Sequence, residues 1–239
     1  MRASCAFVAL SLLASPGFAG PPYQTDDPEP TDLGRWEIYN FVTIDGRRSD
    51  FEGQAGVDLN YGGAKDLQLT ATLPLAFHSS ASGWRIGSGD LELAAKYRFL
   101  DDEKSGWQAA IFPRVILPTS GRNLGGKRVR LLLPLWAQKD FGSTSVFGGG
   151  GYEINPGIMN KDFWQAGVAA THDFGKSLSL GTEVAWQSAD TRGGRSSTGV
   201  DFGLIEKLGG PYSVLVAAGP SFSGGQTSYH GYAALALNF

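Results

Sequence analysis

The chain has 239 residues, with 20 Lys and Arg against 23 Asp and Glu, 12% aromatics, 34 Gly and one cysteine, Cys5. The slight acid excess argues against a general nucleic-acid binder, which carries a basic stripe, and a single cysteine excludes an internal disulfide framework and a thiolate metal cluster. Beyond the first segment no stretch suits a membrane-spanning helix, because the best apolar run, Leu131 to Ala137, is short and holds Pro134.

Residues 1–19 read as a secretory signal peptide: Arg2 stands at the start, an apolar run covers Ala6 to Ala14, and small residues precede a cleavage point after Ala19. The run is too short for an anchor, and Cys5 leaves with it. Residues 20–33, GPPYQTDDPEPTDL, are proline-rich and acidic, with no strand period. They fit either a disordered periplasmic tail or a plug folded into the interior of whatever residues 34–239 form.

Twelve segments of residues 34–239 read as strands. After Arg35 to Ile44 the alternation is clean: Phe51, Gly53, Ala55, Val57, Leu59 and Tyr61 oppose Glu52, Gln54, Gly56, Asp58 and Asn60. Leu67 to Phe77 sets odd-numbered apolar residues against Gln68, Thr70 and Thr72, and Leu91 to Phe99 does so against Glu92, Lys96 and Arg98. Trp107 to Leu117, Val129 to Lys139, Ser143 to Tyr152 and Phe163 to Phe174 follow with less regular faces. Leu178 to Trp186 and Val200 to Leu204 restore the alternation, Tyr212 to Phe222 comes next, and Tyr229 to Phe239 is two-faced to its last residue. Each run is close to the 9 to 11 or so residues that a tilted strand needs to cross a bilayer.

The connections predict long and short in strict alternation. Asp45 to Asp50, His78 to Ser88, Pro118 to Lys127, Glu153 to Asp162, Ser188 to Ser197 and Ser223 to Ser228 are the long ones. Between them lie Gly62 to Lys65, Asp101 to Gly106, Phe141-Gly142, Gly175-Lys176 and Gly209 to Pro211. This predicts an all-β fold: a transmembrane antiparallel up-and-down β-barrel of about twelve strands, with short periplasmic turns and longer extracellular loops. Aromatics near strand ends, Trp36, Tyr61, Trp84, Trp107, Trp186 and Tyr212 among them, suit interfacial girdles. An alternating final strand is expected to close against the first, leaving no edge exposed to lipid. Phe239 then resembles the terminal aromatic signal read by the assembly machinery of outer-membrane barrels.

The polar faces direct Gln54, Asp58, Gln68, Glu92, Lys96, Arg98, Arg114, Glu183, Asp201 and Lys207 to the lumen, since a Lys or Arg facing lipid at mid-depth costs about 2–4 kcal/mol. In the plug reading Asp26 and Asp27 meet Lys96, Arg98 or Arg114. Lumen charges of a small barrel pair with each other whether or not they touch a solute. No metal or cofactor is expected, because His172 and His230 have no ligand spacing and Gly148 to Gly151 lacks the Lys-Ser or Lys-Thr of a phosphate loop. The glycine tract suits close strand packing instead.

Three stretches carry a family resemblance. Tyr23 to Pro28 with Gly34-Arg35-Trp36-Glu37, the strand Gly89 to Phe99 ending in Lys-Tyr-Arg-Phe, and the proline-bracketed Pro113 to Gly121 resemble the MetA-pathway of phenol degradation family of bacterial outer-membrane transporters. Ser120 departs from the family's Pro-Thr-Gly form. The resemblance implies an outer-membrane barrel without enzymatic activity, for passive uptake of small, often apolar or aromatic compounds. Its partners would be outer-membrane lipids, the barrel assembly machinery and a small-molecule solute. Two alternatives stand beside it, a structural barrel without transport and a hydrolase, for His78-x-Ser80 resembles the pair of outer-membrane phospholipases, although the Asn-Gly expected after that serine is missing.

Overall fold

The computed structural model describes residues 22–121 and 124–239, so the expected signal peptide lies outside the described residues. The strands are β1 Trp36–Arg47, β2 Asp50–Ala64, β3 Leu67–Ser80, β4 Gly83–Ser88, β5 Leu91–Asp102, β6 Trp107–Ile111, β7 Arg114–Leu117, β8 Arg130–Phe141, β9 Thr144–Ile154, β10 Phe163–Phe174, β11 Leu178–Gln187, β12 Ser197–Gly209, β13 Tyr212–Ser223 and β14 Gln226–Asn238. No helix occurs among the described residues.

All pairings between these strands are antiparallel, and the fourteen segments form twelve staves of one closed barrel. Two staves are broken. β4 and β5 both pair with β3 and part at Gly89-Asp90, while β6 and β7 both lie between β5 and β8 and part at Phe112-Pro113. Pro113 has no N–H to give a ladder, which accounts for the second break.

Burial runs opposite to that of a water-soluble protein. On β3 the outward Leu69, Leu73 and Leu75 are 47%, 51% and 58% exposed, while the inward Gln68 and Thr70 are 4% and 7% exposed. Apolar side chains therefore form the outer belt, and much of the polar complement lies inside. Aromatic pairs mark both rims of the belt, Trp36 with Tyr61 at one and Phe51 and Phe77 with Trp84 at the other. The interior is not uniformly polar: Tyr39, Leu215, Ala234 and Ala236 form a buried cluster, and Trp136 and Phe147 are buried as well. The glycine tract lets β8 approach β9, for a Cβ on Gly151 would meet Pro134 Cα at 2.7 Å.

Strict alternation of loop lengths does not hold. Three connections expected to be long, after β1, β3 and β13, are tight turns at 48–49, 81–82 and 224–225. The strands there run beyond the length needed to cross a bilayer and consume the residues assigned to loops. The long connections 118–129, 155–162 and 188–196 all open at one end, and every connection at the other end is short.

β14 closes the barrel on β1, in register from Glu37↔Asn238 to Gly46↔Tyr229. Phe239 extends the seam, its N–H donating to the Trp36 carbonyl at 3.0 Å and its carbonyl accepting from the Trp36 N–H at 2.8 Å. In hydrocarbon each unpaired backbone group costs several kcal/mol. Deleting Phe239, or replacing it with Asp, is expected to lower the amount of folded, heat-modifiable barrel on unboiled gels while synthesis is unchanged. An undiminished folded band would show that the terminal pair is dispensable.

Candidate solute path through the barrel

Residues 22–31 lie inside the barrel, and Asp32 and Leu33 stand exposed at its rim. Gly34 N–H donates to the Gly62 carbonyl at 2.8 Å and Gly62 N–H to the Arg35 carbonyl at 3.1 Å, so the segment is stitched to the short-turned rim before it turns inward. Thr31 gives its N–H and hydroxyl to Gln68 Oε1 at 2.8 and 3.0 Å. Deeper in, Lys96 Nζ reaches Asp26 at 2.9 Å, Asp27 at 3.6 Å and the Glu29 carbonyl at 3.2 Å. Arg114 bonds Asp26 at 2.9 Å and Glu92 at 3.3 Å. On the far wall the Glu183 carboxylate accepts the N–H groups of Gln24, at 3.0 Å, and of Thr25. The segment thus crosses the lumen from β5 and β7 to β11.

The local sequence explains this course. Prolines 22, 28 and 30 keep the segment from joining a ladder, and its own acids bring counter-charge to Lys96, whose side chain is 1% exposed. Glycines on the receiving wall make room: a Cβ on Gly203 would meet the Tyr23 hydroxyl at 2.8 Å and its ring at 2.9 Å, and one on Gly167 would overlap the Thr25 hydroxyl.

Two spaces flank the segment. Toward the long-loop end a chamber of about 300 Å³ is lined by Tyr39, Phe41, Asp58, Glu92, Arg114 and Tyr232, with Thr43 and His230 among its other walls. Toward the short-turned end a smaller one of about 170 Å³ is lined by Tyr23, Asp27, Gln138, Phe147 and Lys207.

The candidate lumen residues therefore separate into groups. Asp58, Gln68, Glu92, Lys96 and Arg114 share one wall, and Glu183 and Asp201 stand opposite, side by side across β11 and β12. Asp58 accepts from Thr72 at 2.8 Å and from Asn60 at 3.3 Å. Asp201 accepts from the Gln24 amide at 3.5 Å and lies 3.2 Å from His230 Nδ1. Arg98 departs from the reading of it as a partner of Asp26 or Asp27. It binds Asp66 at 2.8 Å, Asp101 at 3.1 Å and Gln108 at 3.0 Å, because its place near the end of β5 sets it beside the short turns. Lys207 lines the lower chamber, as Asp27 does.

Sequence reasoning missed the inward aromatics Tyr39, Phe41, Phe112 and Tyr232. Their alternation was the available signal, since Tyr39 and Phe41 share the face of Thr43, but a rule of polar inside and apolar outside hides them. Phe112 is held under two cations, with Arg114 4.3 Å and Lys96 4.9 Å from its ring centroid.

His78 and Ser80 do not contact one another in a catalytic arrangement. His78 is held by Asp50 at 3.0 Å and Arg85 at 2.9 Å, and the Ser80 hydroxyl pairs with Ser82 at 2.8 Å. Among the described residues no group of three or more His, Cys, Asp or Glu is placed to hold a metal ion.

Tyr23 and Glu29 of the segment titrate away from their ordinary values. Burial, reinforced by Glu183 and Asp201, pushes the Tyr23 phenol up to about 12. Burial, reinforced by Asp27, pushes the Glu29 carboxyl up to about 7 from 4.5. A seated Glu29 holds its proton more tightly than a released one, so its contribution to seating is fully present below about pH 4.5 and is lost as pH rises to about 7. Labelling of a Thr25→Cys reporter is expected to speed up over that window relative to the same reporter carrying Glu29→Gln. Identical ratios across pH would remove this role of Glu29.

Replacing Asp26 with Ala leaves Lys96 buried with only the longer ion-pair contact to Asp27 and the neutral Glu29 carbonyl. Loss of one partner from such a pair costs about 3–5 kcal/mol. The segment should then become open to protease in the folded barrel, and a fragment pattern like that of the parent would count against the ion pairs as its anchor.

The chain matches no protein-family model and no curated protein. Solved structures do resemble it. The COG4313 outer membrane channel from Pseudomonas putida F1 is similar over 93% of this chain and 100% of that one, with a TM-score of 0.72 and 15% identity. The KdgM porin covers 85% of this chain and 99% of its own, at a TM-score of 0.59 and 11% identity. The CymD monoaromatic hydrocarbon channel covers 87% and 88%, at a TM-score of 0.50 and 8% identity. At these identities the likeness establishes the fold, a closed antiparallel barrel of the outer-membrane kind.

Proposed function

We propose that this chain is an outer-membrane channel for passive entry of small solutes, apolar or aromatic compounds among them, and that residues 22–33 are its lumen plug. The observation that carries the reading is the segment itself, seated across the lumen by side-chain ion pairs and a few hydrogen bonds, with a chamber on either side. A structural filler would need no space on its two faces. The outward apolar belt with aromatic rims supports insertion into a bilayer, and a signal peptide over residues 1–19 would deliver the chain to the outer membrane. Similar barrels include named channels, one of them for monoaromatic hydrocarbons, which agrees with the resemblance carried by residues 23–28, 89–99 and 113–121.

Conductance in planar bilayers and liposome swelling with sugars, amino acids and small aromatics test the reading. Deleting Gln24 to Thr31 is expected to raise conductance and flux severalfold in protein that remains heat-modifiable. Replacing Arg114 with Gln should shift charge selectivity, since charges in a narrow lumen set its field. His78→Ala and Ser80→Ala should leave flux unchanged. A deletion without effect would return the segment to a structural role, and no flux through parent or deletion would leave a barrel without transport. Esterase activity lost on Ser80→Ala would establish the hydrolase instead.

A further inference from the structure

The chamber above the segment has an uneven wall. Along β14, β1, β2 and β3 two adjacent rows of inward residues can be read from the register. One runs Ala234, Phe41, Gly56, Pro74 and the next Ala236, Tyr39, Asp58, Thr72. At Gly56 in the first row β2 and β3 approach closely, for a Cβ there would overlap the Leu73 carbonyl oxygen and come within 2.8 Å of Pro74 Cα, so this position adds no side chain to the wall. Gly56 lies opposite Phe41 on β1 and two residues from Asp58 on its own strand. Phe41 and Tyr232 lie with parallel rings, 4° apart in plane and 6.5 Å between centroids.

Asp58 is hydrogen-bonded but has no cation within salt-bridge reach among the described residues. Each of its oxygens takes one neutral donor, Thr72 on Oδ1 and Asn60 on Oδ2. A carboxylate has about four acceptor sites, so capacity remains. The chamber's own cations are committed elsewhere, Lys96 to Asp26 and Asp27, and Arg114 to Asp26 and Glu92. A carboxylate with no cation in direct contact, which Arg114 reaches only from a distance, beside aromatic faces is complementary to an organic cation: the rings attract positive charge through their π faces while the acid supplies the opposite charge.

We propose that this chamber binds small organic ammonium ions, methylated amines in particular, with Asp58 as counter-ion and Phe41, Tyr39 and Tyr232 as the aromatic wall. The proposal deepens the channel reading, on which it rests in placing the chamber on the solute's path, and it names a substrate class. Apolar hydrocarbons would make no use of Asp58, and carboxylates would be repelled by Asp58 and Glu92. The methyl groups of a quaternary ammonium give the rings contact that a hydrated inorganic cation does not.

The test measures equilibrium binding to the refolded full-length barrel by titration calorimetry, so it does not depend on transport. Choline is compared with 3,3-dimethyl-1-butanol, which has the same shape without the charge. Saturable choline binding is expected, weakened about tenfold or more by Asp58→Asn and severalfold by Phe41→Leu, with the neutral analogue at least tenfold weaker. Equal affinity for the two probes, no choline binding, or unchanged binding in both variants would overturn the assignment. Heat-modifiability verifies each variant, and Phe41→Leu decides if Asp58→Asn fails to fold. Choline binding in a barrel that carries no current would refute the channel and keep the site, whereas current without choline binding would do the reverse.

Discussion

The structure depends on one requirement: in hydrocarbon every backbone N–H and C=O must find a partner within the protein. A flat sheet of these strands would expose two edges, so β14 must meet β1. Closure then fixes much else. It gives the sheet an inside and an outside, which makes period-two alternation a decision about lipid or lumen at every residue, and a slip of one residue at the seam would turn the leucines of the belt inward. The broken staves obey the same requirement. Where Pro113 cannot donate, Phe112 N–H turns to the Pro134 carbonyl and the Pro113 carbonyl takes the Ala95 N–H, so the ladder bridges the break.

Closure also creates the problem that residues 22–33 meet. A barrel of eight strands is filled by its wall side chains, and one of twelve is wider than that. Charges on the inner wall would face either water or one another. Lys96 is the sharpest case, almost fully buried and held by carboxylates that come from the segment and not from neighbouring strands. The segment and the wall are therefore one electrostatic unit: Asp26 is shared by Lys96 and Arg114, and Glu183 is occupied by backbone N–H groups of Gln24 and Thr25. An acidic, proline-rich stretch that would be disordered by itself acquires a course because the lumen supplies its complementary charge.

How much of this could be read in the sequence follows from where each signal arises. Strand faces were legible because lipid imposes one demand along a whole strand, as at Leu69, Leu73 and Leu75. The barrel class and the lumen side of Asp58, Lys96, Glu183 and Asp201 came from that. Strand ends were not legible: outside the bilayer the demand lapses, so Asp45 to Arg47 and Gly83 to Ser88 continue as strand with residues that also suit loops. Pairing between distant charges was only partly legible, because complementary sign does not specify depth. Arg98 and Lys96 share a face two residues apart, and that difference in height sends one to Asp66 and the other to Asp26. The inward aromatics were hidden by a rule that the interior of a barrel this size follows only in part.

The unequal walls bear on how little must move for a solute to pass. The limb formed by Tyr23 to Thr25 rests on the side of β10 to β12, in space left by Gly167, Gly181 and Gly203, and it is held there by Glu183 and by the Gln24 contact to Asp201. Residues Asp26 to Thr31 are pinned to the other side by Lys96, Arg114 and Gln68. Withdrawing the whole segment would strip Lys96 of its carboxylates and leave a buried charge, a penalty of several kcal/mol. Shifting the first limb alone would give up hydrogen bonds to Glu183 and the packing of Tyr23, groups that water in an opened lumen can satisfy again. In the proposed channel the less costly motion is thus a swing of Tyr23 to Thr25 about a fixed Asp26, which would join the two chambers and leave the charged anchor in place.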